Sequence, residues 1–127
     1  MKVDILLVDA ANECPCSTGF VPYLINRNYI IDRRPNIYTC IEAFADQERE
    51  YGVVIVHMSI LAKSLRVVRK IREQNASIPI IVITFIGRGP TDIHAITEAG
   101  ADDYIIKPMC GPGYLIEVIG KYLPHKQ

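Results

Sequence analysis

The sequence KIREQNASIPIIVIT, residues 70–84, joins the end of an amphipathic segment to a short, unbroken apolar run. The amphipathic segment spans residues 61–72, where apolar side chains recur every three or four positions between basic ones, as in a helix with one buried face. Residues 80–84 are all β-branched, which is typical of a strand buried on both faces. A helix followed by such a strand indicates a parallel sheet covered by helices.

The same alternation continues in both directions along the chain. Further apolar or β-branched runs predict strands over residues 3–8, 37–41, 53–56 and 103–107. The first predicted helix begins shortly before Pro22, because proline fits best in a first turn. The other helices are predicted over residues 42–51, 61–72, 90–99 and 111–123, and the stretch 32–36 is predicted as a turn. Alternating strands and helices with right-handed crossovers predict a doubly wound α/β fold with a parallel sheet.

The composition fits one globular domain over residues 1–127. Half of the residues are apolar, and 14 basic residues balance 14 acidic ones. A neutral chain has no overall attraction to nucleic acid or to anionic lipid. No apolar run approaches the ~20 residues of a membrane span, and Asp4 and Asp9 flank a short amino-terminal run unlike a signal peptide. We therefore expect a cytoplasmic protein with reduced thiols.

Polar side chains stand where four of the predicted strands end. They are Asp9 after the first strand, His57 after the third, Thr84 after the fourth and Lys107 after the fifth. Parallel strands of a doubly wound sheet end at one edge, and ligands bind there. We therefore expect an acid, an imidazole, a hydroxyl and an amine to converge at this edge.

Two stretches, KIREQNASIPIIVIT and EAGADDYIIKP (residues 98–108), resemble the receiver domain of bacterial two-component response regulators. The resemblance covers nearly the whole chain in the same element order. It implies a five-stranded parallel sheet of order 2-1-3-4-5 with five helices, a flavodoxin-like fold. It also implies two adjacent acids after the first strand, a phosphoacceptor aspartate after the third, a hydroxyl after the fourth and Lys-Pro after the fifth.

This sequence keeps only part of that pattern. Asp9 matches the first acid, Thr84 the hydroxyl and Lys107 the lysine, and the resemblance implies a cis peptide bond between Lys107 and Pro108. Tyr104 matches an aromatic residue that acts as a rotamer switch in the family. The family's second acid and its phosphoacceptor are replaced, by Ala10 and His57.

The two replacements change the chemistry that the pocket allows. Mg²⁺ prefers oxygen ligands, and of three expected carboxylates only Asp9 remains. Forming an acyl phosphate needs a carboxylate nucleophile and a metal that offsets charge. We therefore expect a pseudo-receiver without cofactor, metal or enzymatic activity, in which Lys107 pairs with Asp9. Its role in phosphorelay-type signal transduction is then protein–protein interaction that does not depend on phosphorylation.

The resemblance also implies a surface for partners. Receivers pass signals through the face of the fourth helix, fifth strand and fifth helix, here residues 90–99, 103–107 and 113–122, which includes Tyr104. We expect a signalling protein or a second copy of the chain to bind there, with no membrane and no direct nucleic-acid contact.

Two alternatives use other chemistry. His57 is a possible phosphoryl acceptor through a ring nitrogen, although Lys107 nearby disfavours a second positive charge. Cys14, Cys16 and Cys110 lie in loops at the same edge, so that with His57 they form a candidate soft-metal or redox set. Cys40, in a predicted strand, is expected in the core.

Overall fold

The computed structural model describes residues 2–9, 17–46, 48–58, 60–85, 89–107 and 112–123. Five strands alternate with five helices along the chain. The elements are β1 Lys2–Asp9, α1 Ser17–Asn26, β2 Ile31–Arg34, α2 Ile37–Ala45, β3 Glu50–His57, α3 Leu61–Gln74, β4 Ile80–Phe85, α4 Pro90–Ala99, β5 Asp103–Lys107 and α5 Pro112–Ile119.

The strands form one parallel sheet in the order β2-β1-β3-β4-β5. The predicted doubly wound fold and strand order are therefore confirmed. Side chains of β1 alternate between two cores: Leu6 and Val8 lie beneath α2, α3 and α4, whereas Ile5 and Leu7 face α1 and α5. Because both faces are covered, β1, β3 and β4 lie deep in the protein, and the polar side chains of Asp9, His57 and Thr84 stand at their carboxyl ends.

The predictions for the second strand and second helix were wrong. Ile37–Ala45 is helix α2 rather than a strand over 37–41 followed by a helix over 42–51, and β2 occupies most of the predicted turn. The Oδ1 atom of Asn36 accepts a hydrogen bond from the backbone N–H of Thr39 at 3.0 Å, which caps the amino terminus of α2. The polar sequence of β2 suits an edge strand, which pairs with a neighbour on one side only.

The start of α1 also differs from the prediction. The helix begins at Ser17, so that Pro22 lies in the second turn and not in the first. A proline at this position removes one backbone hydrogen bond of the helix. The fully buried side chain of Leu24 holds that part of the helix against the sheet, and this packing offsets the missing bond.

One arginine ties the loops at the amino-terminal edge of the sheet. Arg72 donates from Nε to the carbonyl of Gly100 at 2.8 Å, from Nη1 to the carbonyl of Ile78 at 2.6 Å and from Nη2 to Asp102 at 2.7 Å. Gly100 ends α4 in the left-handed region with φ of 118°, as its predicted position at the helix end favours. These bonds hold the starts of β4 and β5 together.

No helix in the described ranges is long and apolar enough to cross a membrane.

Candidate functional site

Three polar side chains are buried where the central strands end. Asp9, His57 and Thr84 have exposed fractions of 1%, 1% and 3%. Asp9 of β1 is the direct register neighbour of His57 of β3, and Thr84 follows Ile83, the neighbour of His57 in β4. The backbone of Lys107 ends β5 beside Phe85, while its side chain lies outside what the structure describes. The strand ends thus bring the acid, the imidazole and the hydroxyl to one edge.

The buried carboxylate of Asp9 forms an ion pair with an arginine from the edge strand. Nη2 of Arg33 donates to Oδ2 of Asp9 at 2.8 Å, and the arginine side chain is 36% exposed. Arg33 pairs in register with Leu7, two residues before Asp9, so that both side chains lie on the same side of the sheet. A guanidinium therefore neutralises the acid that would otherwise be a costly buried charge. The predicted pair of Asp9 with Lys107 stays a prediction.

His57 approaches the other oxygen of the same carboxylate. Its Nδ1 atom lies 3.6 Å from Oδ1 of Asp9, which is longer than a hydrogen bond. At this distance and burial, a protonated imidazole would attract the carboxylate and a neutral one would only contact it. The carboxylate of Asp9 therefore has Arg33 on one side and His57 on the other.

The edge strand that carries Arg33 is held by an ionic network that the sequence analysis missed. Asp32 accepts hydrogen bonds from Nε of Arg34 at 2.8 Å, Nη1 of Arg49 at 2.6 Å and the hydroxyl of Tyr51 at 2.7 Å. Burial alone would raise the pKa of Asp32, but the hydrogen bonds from Arg34 and Tyr51 outweigh it and lower that pKa. The two arginines that follow Asp32 could have indicated an ionic network, but the stretch 32–36 is predicted as a turn from its sequence.

The other predicted residues are placed only in part. Tyr104 is half-buried in β5 and packs against the core beneath α2, α3 and α4. Ala10, Cys14, Cys16, Pro108 and Cys110 lie outside the described residues, so that the cis peptide bond and the thiol set stay predictions.

Cys40 is fully buried, as expected, although it belongs to α2 and not to a strand. Burial raises the pKa of its thiol to about 12, which makes it an inert core side chain. Among the described residues, no three His, Cys, Asp or Glu side chains lie close enough together to hold a metal ion.

A parallel sheet of this order, with an acid, a hydroxyl and a lysine at the ends of its first, fourth and fifth strands, matches the pattern that the resemblance to receiver domains implies. The chain belongs to the response regulator receiver domain family, whose model matches residues 5–119. Domains of this family act in two-component signal transduction.

Known relatives agree with this membership. The chain is 36% identical over 109 residues to the transcriptional regulatory protein ResD of Bacillus subtilis. This alignment covers 84% of this chain and 42% of ResD. It is 29% identical over 105 residues to the response regulator RppA of Synechocystis sp. This alignment covers 82% of this chain and 44% of RppA. The chain thus spans less than half the length of these two relatives.

Solved structures show the same fold. FixJ-N superposes with a TM-score of 0.76 at 23% identity, over 95% of this chain and 93% of FixJ-N. The receiver domain of the sensor histidine kinase PA1611 from Pseudomonas aeruginosa has a TM-score of 0.74 at 20% identity, over 96% of this chain and 98% of that domain. That structure holds a magnesium ion in its active-site cleft.

The residues at the corresponding edge of this chain do not fit magnesium. The ion prefers octahedral oxygen ligands, mainly carboxylates and waters. Asp9 supplies a carboxylate, but one of its oxygens accepts a hydrogen bond from Arg33. The side chain of Ala10 has no ligand atom, and the imidazole of His57 is a poor ligand for so hard a cation. A second positive charge beside the guanidinium would also be repelled.

Proposed function

We propose that this receiver domain signals by protein–protein interaction that does not depend on phosphorylation. The observation that carries the proposal is the ion pair of Arg33 with the buried carboxylate of Asp9, at 2.8 Å, in a pocket whose acceptor position is His57. The guanidinium supplies the positive charge that a bound metal would supply in a phosphorylated receiver.

The chemistry of phosphoryl transfer supports the same conclusion. An acyl phosphate forms on a carboxylate with the help of a divalent cation, and His57 offers no carboxylate. The imidazole is 1% exposed, so that a phosphodonor cannot reach its nitrogens without opening the fold. We therefore favour a binding module without enzymatic activity over phosphotransfer on His57.

The proposed partner surface is the α4-β5-α5 face. Asp103 of β5 accepts hydrogen bonds from Nζ of Lys121 and the hydroxyl of Tyr122, both at 3.2 Å, so that β5 is tied to the turn that follows α5. Tyr114 of α5 is 44% exposed, a large apolar side chain on a solvent-facing helix. An exposed aromatic side chain on this helix suits contact with a signalling protein or a second copy of the chain.

The first experiment tests phosphorylation directly. The protein is incubated with acetyl phosphate and Mg²⁺ and then analysed by intact-mass spectrometry, with a receiver that carries the acceptor aspartate as the positive control. We expect no phosphorylated species. Stoichiometric phosphorylation of any residue would overturn the proposal.

The second experiment tests the face. Immobilised protein captures partners from a lysate of the native host, with and without acetyl phosphate. We expect one partner set under both conditions, weakened by Tyr114→Ala and unchanged by Ile25→Ala, which removes an exposed apolar side chain of α1. Capture that requires the phosphodonor would contradict the proposal.

A further inference from the structure

A cavity opens between the amino-terminal halves of α2 and α3. Its volume is about 210 Å³. Its floor is apolar and includes Met58 and Val67, which are 7% and 2% exposed. Lys63 and Arg66 of α3 and Tyr38 of α2 stand at its solvent side, and Tyr38 is 68% exposed. The cavity thus combines an apolar interior with a cationic and aromatic rim.

The charge around this cavity is unlike that of the whole chain. Helix α3 carries five basic side chains and one acidic side chain within 14 residues, although the chain has no net charge. Arg72 is engaged by loop carbonyls and Asp102, and Lys70 pairs with Glu73 at 3.3 Å. Arg66 and Arg69 of the same helix are exposed. The surface beside the cavity therefore attracts acidic groups.

We propose that the α2–α3 cavity is a docking site for an acidic segment of a partner protein. The segment inserts one aliphatic or aromatic side chain against Met58 and Val67 and places a carboxylate beside Arg66. Small-molecule pockets usually measure about 300–1,000 Å³, so that a cavity of about 210 Å³ suits a single side chain better than a whole ligand.

Charge complementarity favours an acidic peptide over nucleic acid. Phosphates would be held by the basic side chains alone, and a nucleic acid offers no flexible aliphatic side chain to the apolar floor, only base faces and the methyl group of thymine. A peptide uses both parts of the surface, because an apolar anchor surrounded by charged contacts is the usual arrangement of a protein interface.

Two segments that line the α2–α3 cavity directly follow the strands that carry His57 and Arg33. Met58 directly follows His57, and Pro35 and Asn36, which line the cavity, follow the strand that carries Arg33. An occupant would therefore contact the segments that leave both strands of the site. The surface is separate from the α4-β5-α5 face, so that this inference stands independently of the proposed output face.

The test uses the full chain and a set of fluorescein-labelled acidic peptides, each with one central Leu, Ile, Met or Phe. Binding is measured by fluorescence anisotropy. We expect at least one peptide to bind and its counterpart with a central Ala to lose binding. Arg66→Glu should weaken binding about tenfold, whereas Arg69→Glu, on the same helix but away from the cavity lining, should change it less than about threefold.

Circular dichroism melts of both variants show whether they remain folded. Binding to none of the peptides would overturn the proposal. Equal weakening by Arg66→Glu and Arg69→Glu would also overturn it, because it would show attraction to α3 as a whole without use of the cavity. Single-stranded DNA and vesicles of anionic phospholipid are tested in the same assay. If one of them binds in an Arg66-dependent manner and no peptide binds, the proposal is overturned and the surface is assigned to that partner.

Discussion

The ion pair of Arg33 with Asp9 makes a quantitative prediction for the variant Arg33→Met. Methionine keeps the apolar stem of the side chain but removes the guanidinium that donates to the buried carboxylate at 2.8 Å. Breaking a fully buried pair costs about 3–5 kcal/mol, and an exposed pair is worth about 0–1 kcal/mol. Asp9 is buried and Arg33 is 36% exposed, so that we expect a loss of about 2 kcal/mol in the free energy of unfolding.

Urea unfolding measures this loss. The chain has seven tyrosines and no tryptophan, so that tyrosine fluorescence and far-ultraviolet circular dichroism are the suitable signals. With a urea dependence of about 1–3 kcal/mol per molar, a loss of about 2 kcal/mol lowers the midpoint by roughly 1 M. A cycle with Asp9→Asn and the double variant isolates the coupling between the two side chains, which we expect to exceed about 1 kcal/mol.

The matched control is Arg69→Met, which removes an exposed arginine of α3. We expect it to change stability by less than about 0.5 kcal/mol. If Arg33→Met costs no more than this control, or if the cycle gives no coupling, Arg33 does not neutralise Asp9 and the reasoning on the pocket is wrong.

Four further predictions test other features. Gly100→Ala should lower the free energy of unfolding by about 1–3 kcal/mol in urea, because the residue has φ of 118° and a new Cβ would lie 2.7 Å from Cγ of Arg72. The control Gly89→Ala adds a Cβ in open space and should be nearly neutral. Asp32→Asn should lower the free energy of unfolding at pH 7 but progressively less below pH 3.8. The folded pKa of Asp32 is lowered, so that its stabilising contribution is lost as the pH falls through that pKa. An equal loss of stability at pH 7 and below pH 3.8 would refute this. Mg²⁺ at millimolar concentration should leave the melting temperature of the wild type unchanged in thermal scans, and a saturable rise would show a metal site. Cys40 should resist iodoacetamide in the folded protein and react after unfolding, as followed by peptide mapping, and rapid labelling under native conditions would contradict its burial.

The sequence predicted the fold well because its central strands are buried on both faces. Runs such as residues 53–56 and 80–84 admit few other structures, and glycine at position 100 marked a helix end. The edge strand was harder to predict, because β2 has the polar sequence IDRR, whereas the β-branched and aromatic residues after it form α2. Tertiary contacts through Cys40 and Ala43, together with the Asn36 cap, override the local strand preference there.

The candidate site, like the fold, was predictable at the central strands and not at the edge strand. The rule that strand ends meet at one edge located Asp9, His57 and Thr84. The sequence does not predict the role of Arg33, because residues 32–36 have the composition of a turn, and without a strand register the neighbours of Arg33 are undefined. The Asp32 network was equally hidden, because Tyr51 lies 19 residues away in sequence and meets Asp32 only after the sheet has formed.

The neutralising group of Asp9 is part of the same polypeptide. A dissolved ion exchanges with the solution, so that its occupancy follows its concentration and the time for which it stays bound. Arg33 reaches Asp9 from the adjacent strand and is present in every folded molecule at a ratio of one to one. The positive charge beside Asp9 is therefore inherited with the fold. Under the proposed phosphorylation-independent signalling, the amount of the protein sets the amount of signal.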